Sequence, residues 1–463
     1  MKKLLIILFV AGALFARENI KNINKTYPVE SGAQIIFETI SGMEISLIGW
    51  DKDEVQFDLK LDFSSSDRDY EKKFVEDFEI TELKKPGKHK FVFSKTEDNG
   101  GWNFFDLFKL KFSYYENMSL SGTIYIPKNA PFNADFRYGE VDISGLTNTV
   151  SINGKGNELK FNDCTNLELI QNDYGDISIS NSGGNSRIKA RSNNVIIRSY
   201  KGDIKLSSDY SEFEIEQVEG NLSLDTRSAN IRVSNVSGAV DIDGEYSDIT
   251  LRNLGFVNKI KSRSGTLKLD NCKLENVLTA YMDIDISGVH NIPGVTLYIE
   301  NQSGTVRMND IKSPIRILDK YSNFSFNSIE GDIDISSRSG YIKGVGLIGN
   351  WSSDTEYSSV ELFNLTAKTI NIKNRSNPVE LNLSSVPESI NIDNQYGGVD
   401  ISIPKSFGGK IKLYSTYGSI KTNLPIEVIE QGSSQSALDI IPGGNSDVFI
   451  KTRSGDIDFN TKK

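Results

Sequence analysis

The sequence predicts an all-β protein whose larger part is a single-chain parallel β-solenoid, with about 18 residues and two short strands in each turn. Apolar residues recur in pairs two positions apart, which places both side chains on one face of a strand. The pairs return at fixed intervals, and Gly, Asn, Asp and Ser fill the turns between them. The 463 residues are 25% charged and 38% hydrophobic, a composition that argues against a disordered chain and against a multi-span membrane protein.

The first element is a candidate signal peptide at residues 1–16. Lys2 and Lys3 precede an apolar run at residues 4–10, and small residues follow up to Ala16. The run is shorter than the ~20 residues of a membrane-spanning helix. Removing these residues changes the formal net charge from −10 to −12, because two lysines and no acid leave. We therefore expect export to the periplasm, the outer surface or the medium, no transmembrane segment in the mature chain, and no nucleic-acid partner.

Residues 17–130 lack the 18-residue period and are predicted to form a mainly β cap, because an open solenoid end exposes strand edges. Alternating apolar residues at 33–63 predict strands, and residues 67–76 are the best candidate for a short helix. Residues 102–115 are dense in aromatic side chains. The favoured interpretation is the packed core of the cap, and the alternative is a binding patch for a sugar, a partner or a membrane surface.

Residues 131–463 carry the repeat. One charged position recurs at seven successive steps of 18 residues: Arg137, Lys155, Asp173, Arg191, Asp209, Arg227, Glu245 and Arg263. The next position alternates between a large and a small residue: Tyr138, Gly156, Tyr174, Ser192, Tyr210, Ser228, Tyr246 and Ser264. Hairpin loops vary in length, so a β-sandwich array would not give equal steps. Equal steps predict that residues 18 apart are neighbours on successive turns.

This stacking explains the alternation of charge, because identical charges in one column would repel each other. A second column behaves in the same way: Asp142, Lys160, Glu214, Arg232, Lys268, Asp285 and Arg307. Each exposed pair contributes only ~0.2–1 kcal/mol, but the pattern disfavours a slip by one turn. Glycine recurs before the second strand of four turns, where it suits a tight corner: Gly184, Gly202, Gly220 and Gly238.

The two cysteines, Cys164 and Cys272, lie 108 residues apart, which is six periods of 18. Stacking would hold them about 29 Å apart, whereas a disulfide needs Cα atoms within about 7 Å. The repeat therefore predicts two buried free thiols, although two cysteines in an exported protein ordinarily suggest a disulfide.

We predict no catalytic, cofactor or metal site. His89 and His290 have no partner at metal-ligand spacing. Four carboxylate pairs lie two residues apart and could serve glycoside cleavage: Asp241/Asp243, Asp283/Asp285, Asp332/Asp334 and Asp456/Asp458. The favoured interpretation is that these carboxylates pair with residues on the neighbouring turns and so form a ladder of attractive contacts. The turns also lack the G-G-x-G-x-D pattern of calcium-binding β-rolls.

Two stretches carry a family resemblance: SGTIYIPKNAPFNADFRYGEVDISGL (121–146) and KTRSGDIDF (451–459). With them the chain resembles the bacterial cell-envelope family of putative adhesins, domains of unknown function with SGDI-x-I β-solenoid repeats. The resemblance covers roughly residues 30–460. It implies the fold and export, and it implies no catalytic residues.

We therefore expect an exported, non-enzymatic β-solenoid that is an adhesin or a structural or binding protein of the cell envelope. Its partner would be a glycan or a surface protein. One open alternative is a polysaccharide-active β-helix enzyme, which would show a groove of clustered, unpaired carboxylates. Another is an assembly scaffold subunit, which would show an exposed end, such as the C-terminal strand in GDIDFNTKK (455–463).

Overall fold

The computed structural model describes residues 19–95 and 118–462. The predicted signal peptide at 1–16 and the aromatic segment at 102–115 lie outside the described residues. The predicted fold class is confirmed, since the chain is nearly all β and forms a parallel β-solenoid with about 18 residues per turn. By its internal contacts the chain divides into two compact units, residues 1–167 and 168–463. The boundary between cap and solenoid at residue 130 stays a prediction.

Eleven strands and one helix lie among the described residues of the N-terminal unit before Leu167. Their bounds are β1 (Ile20–Pro28), β2 (Gln34–Ser41), β3 (Met43–Trp50), β4 (Glu54–Phe63), α1 (Arg68–Asp77), β5 (Phe78–Lys85), β6 (Lys88–Lys95), β7 (Met118–Pro127), β8 (Phe132–Arg137), β9 (Glu140–Ser144), β10 (Val150–Lys155) and β11 (Glu158–Asn162).

The turns of the N-terminal unit are not stacked in chain order. β2 pairs in parallel with both β6 and β8, and β3 pairs in parallel with both β7 and β9. The β2–β3 turn therefore lies between the β6–β7 turn and the β8–β9 turn. Antiparallel strands complete this unit, because β4 pairs with β1 and β7, and β5 pairs with β6. These pairings satisfy backbone groups that an open solenoid end would expose.

The helix predicted at residues 67–76 is confirmed as α1. Asp67 is its N-cap, and its Oδ1 accepts hydrogen bonds from the backbone N–H groups of Asp69 at 3.0 Å and Tyr70 at 3.1 Å. The cap satisfies donors that the start of a helix leaves without backbone partners. Phe74 and Val75 are the buried side chains of this helix. In the part of the chain that the structure describes, no helix has the length and apolarity needed to cross a membrane.

The strands of the C-terminal unit begin with β12. The first half comprises β12 (Leu167–Asp173), β13 (Ile177–Gly183), β14 (Ser186–Arg191), β15 (Asn194–Lys201), β16 (Ile204–Asp209), β17 (Glu212–Glu219), β18 (Leu222–Arg227), β19 (Asn230–Val236), β20 (Ala239–Glu245), β21 (Asp248–Lys261), β22 (Ser264–Leu278), β23 (Tyr281–His290), β24 (Leu297–Glu300) and β25 (Ser303–Lys312). The second half comprises β26 (Ile315–Leu318), β27 (Tyr321–Glu330), β28 (Ile333–Ile348), β29 (Trp351–Leu365), β30 (Thr369–Asn374), β31 (Val379–Leu383), β32 (Ser389–Asn394), β33 (Val399–Ile403), β34 (Gly409–Ser415), β35 (Ile420–Thr422), β36 (Ile429–Gln431), β37 (Ser434–Ile441), β38 (Ser446–Thr452) and β39 (Ile457–Thr461).

The predicted register is confirmed in the regular turns of this unit. Each strand from β12 to β19 pairs in parallel with the second strand along the chain. Asp209 is the pairing partner of Arg191 on one side and of Arg227 on the other. Residues 18 apart are therefore neighbours on successive turns. The buried apolar side chains alternate with exposed ones along each strand, so the core lies inside the turns.

The last turns, like the first, are stacked out of chain order. β38 pairs in parallel with both β32 and β34, and β39 pairs in parallel with both β33 and β35. The prediction that GDIDFNTKK exposes an edge for end-to-end contact is therefore wrong, because β39 has a partner on each side and Phe459 is fully buried. The antiparallel strand β37 pairs with β34, and the short β36 pairs with β37.

Both cysteines are free and buried, as predicted. Burial raises the pKa of the Cys164 thiol to about 11, and it raises the pKa of the Cys272 thiol to about 11 as well. Because the thiolate is the reactive form, neither side chain is suited to nucleophilic chemistry near neutral pH. They behave as small apolar core residues.

Candidate binding surface

A line of exposed tyrosines follows one corner of the C-terminal unit. We call it the tyrosine column, and its members are Tyr174, Tyr210, Tyr246, Tyr281, Tyr321, Tyr357, Tyr396 and Tyr417. Between 39% and 63% of each of these residues is exposed. Serines occupy the same position on the turns between them, so that one tyrosine stands on every second turn, about 9.6 Å from the next.

In the last turns Tyr and Ser still alternate along the corner, although they no longer alternate in the order of the sequence. The backbone N–H of Ser454 donates to the carbonyl of Gln395 at 2.9 Å, and the N–H of Tyr417 donates to the carbonyl of Arg453 at 2.8 Å. Ser454 therefore lies between Tyr396 and Tyr417, although it follows both in the chain. The order Tyr, Ser, Tyr is thus kept in space where the β38–β39 turn is inserted.

The first tyrosines of the column have an unfavourable backbone conformation. The φ angles of Tyr174, Tyr210 and Tyr246 are 61°, 57° and 54°, in the left-handed region. For a residue with a bulky side chain this conformation costs on the order of 1–2 kcal/mol. Glycine or asparagine would suit these corners better. Ser192 and Ser228, on the alternate turns, both have a φ of 55°, so the left-handed conformation is a property of the corner and not of the tyrosines. Backbone preference therefore does not explain why every second corner carries a large exposed ring.

The small residues of the alternation make room for the rings. In the N-terminal unit, a Cβ atom at Gly156 would lie 2.7 Å from Cδ1 of Tyr138, which is on the preceding turn. A ring placed along the column thus covers the next turn, where only a small side chain fits. This contact accounts for the glycine on the turn after Tyr138, and serine takes the equivalent place on the later turns, as at Ser192 and Ser228.

A column of buried polar side chains lies behind the tyrosine corner and fixes its backbone. The Nδ2 group of Asn301 donates to the carbonyls of Met282 and Ser303, each at 3.2 Å. On a later turn, Nδ2 of Asn374 donates to the carbonyls of Ser358 at 2.8 Å and Ser376 at 2.7 Å. These bonds satisfy carbonyls that the tight corner turns away from the strand ladders.

Arginines from the intervening turns lie over the tyrosine rings. The guanidinium carbon of Arg263 is 5.8 Å from the centroid of the Tyr246 ring. Arg375 and Arg453 approach the rings of Tyr357 and Tyr396 in the same way, each at 5.9 Å. Farther along the corner, Nη1 of Arg338 lies 3.2 Å from the hydroxyl oxygen of Tyr321. The surface therefore presents aromatic rings and guanidinium groups in a regular series.

A family model described as Toastrack DUF4097 matches residues 88–287 and 282–460. The chain belongs to the Toastrack family. The predicted resemblance to a family of domains of unknown function with β-solenoid repeats is thereby confirmed.

One solved structure was also found for this Toastrack chain. It is the crystal structure of a putative cell adhesion protein from Clostridium sporogenes, which is 10% identical in sequence. The alignment covers 96% of this chain and 100% of that chain. Its TM-score of 0.15 is too low to support a comparison of the two structures. None of the curated proteins matches the Toastrack chain.

The carboxylate pairs proposed for an enzyme are used between turns of the Toastrack fold. Asp243 accepts a hydrogen bond from Lys261 at 2.8 Å, and Asp283 accepts one from the backbone N–H of Thr305 at 2.8 Å. Asp456 accepts bonds from the N–H and the hydroxyl of Ser419, which lower its pKa. These contacts support the prediction that the carboxylates pair with residues on neighbouring turns.

Each histidine lies beside one carboxylate. His89 is fully buried, and its Nδ1 lies 2.5 Å from Oε1 of Glu82. His290 is exposed on the surface, with its Nε2 atom 3.3 Å from Oδ2 of Asp310. Within residues 19–95 and 118–462, no group of three or more His, Cys, Asp and Glu side chains could hold a metal ion.

Charge alternation is confirmed for the predicted pairs and fails farther along the same column. Glu214 is paired with Arg232, and Asp285 with both Lys268 and Arg307. Later turns instead stack four carboxylates, which we call the acidic column: Glu361, Glu380, Asp400 and Asp458. Burial and neighbouring carboxylates raise the pKa values of Glu380 and Asp400.

We expect Glu380→Gln to stabilise the protein at neutral pH by on the order of 0.5–1 kcal/mol, because it removes repulsion from two stacked neighbours. A carboxyl group with a raised folded pKa destabilises the fold while it is ionised. This effect disappears as the pH falls through the folded pKa to the ordinary values of 4.5 for Glu and 3.8 for Asp. The advantage of the variant in urea unfolding should therefore shrink on acidification.

The matched control is Glu212→Gln, because Glu212 stacks between the neutral side chains of Asn194 and Asn230. It should give no comparable gain at neutral pH. If Glu380→Gln raised the free energy of unfolding equally at every pH, repulsion between the stacked carboxylates would not be the cause.

Proposed function

We propose that this Toastrack chain is an exported, non-enzymatic adhesion or binding protein of the bacterial cell envelope, and that the tyrosine column binds an extended partner. The observation that carries the proposal is the row of half-exposed rings on every second turn. Three of these rings stand on residues with strained backbones, Tyr174, Tyr210 and Tyr246. Ser192 and Ser228 adopt the same backbone conformation, so the exposed rings, and not the backbone, distinguish the tyrosine corners.

The regular spacing favours a partner that is itself long and periodic. A compact ligand would need one concave pocket with converging groups, whereas the tyrosine column repeats the same exposed ring along the C-terminal unit. Each contact alone would be weak. Several contacts to one chain raise the overall affinity because every later contact is intramolecular.

The test is a triple variant, Tyr321→Ser, Tyr357→Ser and Tyr396→Ser, which gives these positions the residue found on the alternate turns. We expect it to lose at least about tenfold in affinity for bacterial envelope polysaccharide on a glycan array, since stacking contributes on the order of 1 kcal/mol per ring. Its melting temperature should change little, because the three rings are exposed and serine already occupies this corner on the alternate turns. Unchanged binding by the triple variant would refute the proposal.

Tyr341→Ser with Tyr414→Ser is the control for this experiment, because both rings are 37–39% exposed but lie outside the column. This double variant should bind like the unaltered protein. Failure of the unaltered protein to bind any envelope fraction would also refute the proposed function.

A further inference from the structure

Next to the tyrosine column, positive and negative residues alternate in the first half of the C-terminal unit, and positive residues predominate in the second half. The residue before each corner alternates in sign up to Arg263, and the alternation then ends. In spatial order the final positions are Lys320, Arg338, Glu356, Arg375, Gln395, Arg453 and Thr416. Four cations and one anion give this stretch a formal charge of +3, although the whole chain has a net charge of −10.

Stacking of the turns does not require this excess of positive charge. Nε of Arg338 lies 3.5 Å from Oε2 of Glu356, which is the one acid of the stretch. Arg453 stands between Gln395 and Thr416, which carry no charge. Acidic residues at these two places would continue the alternation seen at Asp209 and Glu245. The neutral residues leave Arg453 with no acid at this position on either neighbouring turn, and Glu356 alone serves both Arg338 and Arg375, so positive charge remains for a ligand.

We propose that the tyrosine column from Tyr321 to Tyr417 binds a linear anionic polysaccharide, with sugar rings stacked on the tyrosines and acid groups on the arginines. This inference rests on the proposed function and names the class of its partner. One face of a pyranose ring is apolar and packs on an aromatic ring. Arginine binds carboxylate groups through two parallel hydrogen bonds.

The spacing of the groups agrees with such a ligand. Tyrosines on alternate turns are about 9.6 Å apart, which is close to the length of one disaccharide unit in an extended chain. A guanidinium lies over the rings of Tyr357 and Tyr396, 5.9 Å from each centroid. One ring and one cation in every two turns thus match a polymer with one acid group per disaccharide.

The acidic column limits where the polymer can lie. It is four residues along the strands from the tyrosine position, roughly 13 Å away. That distance exceeds the Debye length of about 8 Å at physiological salt, so repulsion at the corner is largely screened. On the other side of the corner the charges are paired, as Lys373 lies 3.1 Å from Asp354. An anionic chain would therefore follow the corner.

Single-stranded nucleic acid also combines stacking rings with negative charge, but it fits the spacing less well. A strand carries one charge per ~3.4 Å, which is about three charges for every tyrosine of the column. The four cations of the stretch would leave most of them without partners. The disaccharide polymer is the better match in both ring spacing and charge.

The test compares three probes against the full mature chain: hyaluronan oligosaccharides, neutral chitin oligosaccharides and oligo-dT. We expect hyaluronan to bind most tightly and its affinity to fall with added salt. The triple variant Arg338→Gln, Arg375→Gln and Arg453→Gln should lose at least about tenfold in hyaluronan affinity, because each arginine supplies a charge-assisted hydrogen bond. Its binding of chitin oligosaccharides should not change.

The matched control removes three arginines from outside this stretch, none of which the structure places over a tyrosine of the column: Arg191→Gln, Arg198→Gln and Arg227→Gln. It should keep hyaluronan affinity within about threefold, since these charges already have acidic neighbours. Tighter binding of chitin oligosaccharides than of hyaluronan would overturn the anionic class while leaving the proposed function intact. Tighter binding of oligo-dT, equal losses in both arginine variants, or no binding of any probe would also overturn the inference.

Discussion

Truncation of the chain after residue 445 is expected to unfold the last turns of the C-terminal unit. The missing strands, β38 and β39, form an interior turn with partners on both sides. Four of their side chains are fully buried: Val448, Ile450, Ile457 and Phe459. At ~1.5–3 kcal/mol for each buried side chain, the loss is about 6–12 kcal/mol. That equals the entire stability of many domains.

This expectation is checked by urea unfolding and by limited proteolysis of the truncated chain. A milder pair of substitutions serves as control. Phe459→Ala should cost ~3–5 kcal/mol as a core truncation, whereas Leu438→Ala in the exposed strand β37 should change stability by less than about 0.5 kcal/mol. A truncated chain that unfolds as cooperatively as the full one would show that the last strands are peripheral.

Gly220→Ala is expected to destabilise the C-terminal unit by about 1–3 kcal/mol, as overpacking does in cores. Gly202, Gly220 and Gly238 stack at one corner of successive turns. A Cβ atom at Gly220 would overlap the backbone carbonyl oxygen of Gly202. Neither backbone can move without breaking the strand pairing on both sides, so the clash is not easily relieved.

Gly398→Ala provides the matched control, because its Cβ atom would lie 3.5 Å from the carbonyl oxygen of Asp456, an ordinary contact. The two variants should differ by at least about 1 kcal/mol in the free energy of unfolding, measured in urea. Equal stabilities would contradict the close stacking of the corner.

The register of the regular turns could be predicted from the sequence because a constant turn length repeats every environment. Asp209 and Arg227 illustrate this, since one spacing fixes their neighbours on both sides. A constant spacing no longer identifies the neighbouring turn where the stacking order departs from chain order. Nothing in the spacing of Tyr396, Tyr417 and Ser454 reveals that the last residue lies between the other two.

Charge patterns were a weaker guide than apolar spacing. Alternation holds at Glu214 and Arg232 but not in the acidic column, because a pair of exposed charges contributes only ~0.2–1 kcal/mol and is easily overridden. The buried polar residues behind the tyrosine corner were missed. Their signal was a small polar residue two positions before the tyrosine, as at Asn172, Ser208 and Asn394, and it is hard to separate from ordinary turn composition.

The tyrosine column exists only if residues about 18 apart are neighbours on successive turns. The direct measurement is disulfide formation in the double variant Glu214→Cys with Arg232→Cys, whose positions are paired on β17 and β19. Their Cα atoms should be about 4.8 Å apart, within the range of a disulfide. The native thiols are buried and will not compete. We predict complete cross-linking in the folded protein and none for Glu214→Cys with Ser223→Cys, whose positions are nine residues apart. The reverse result would contradict the stacking on which the binding surface rests.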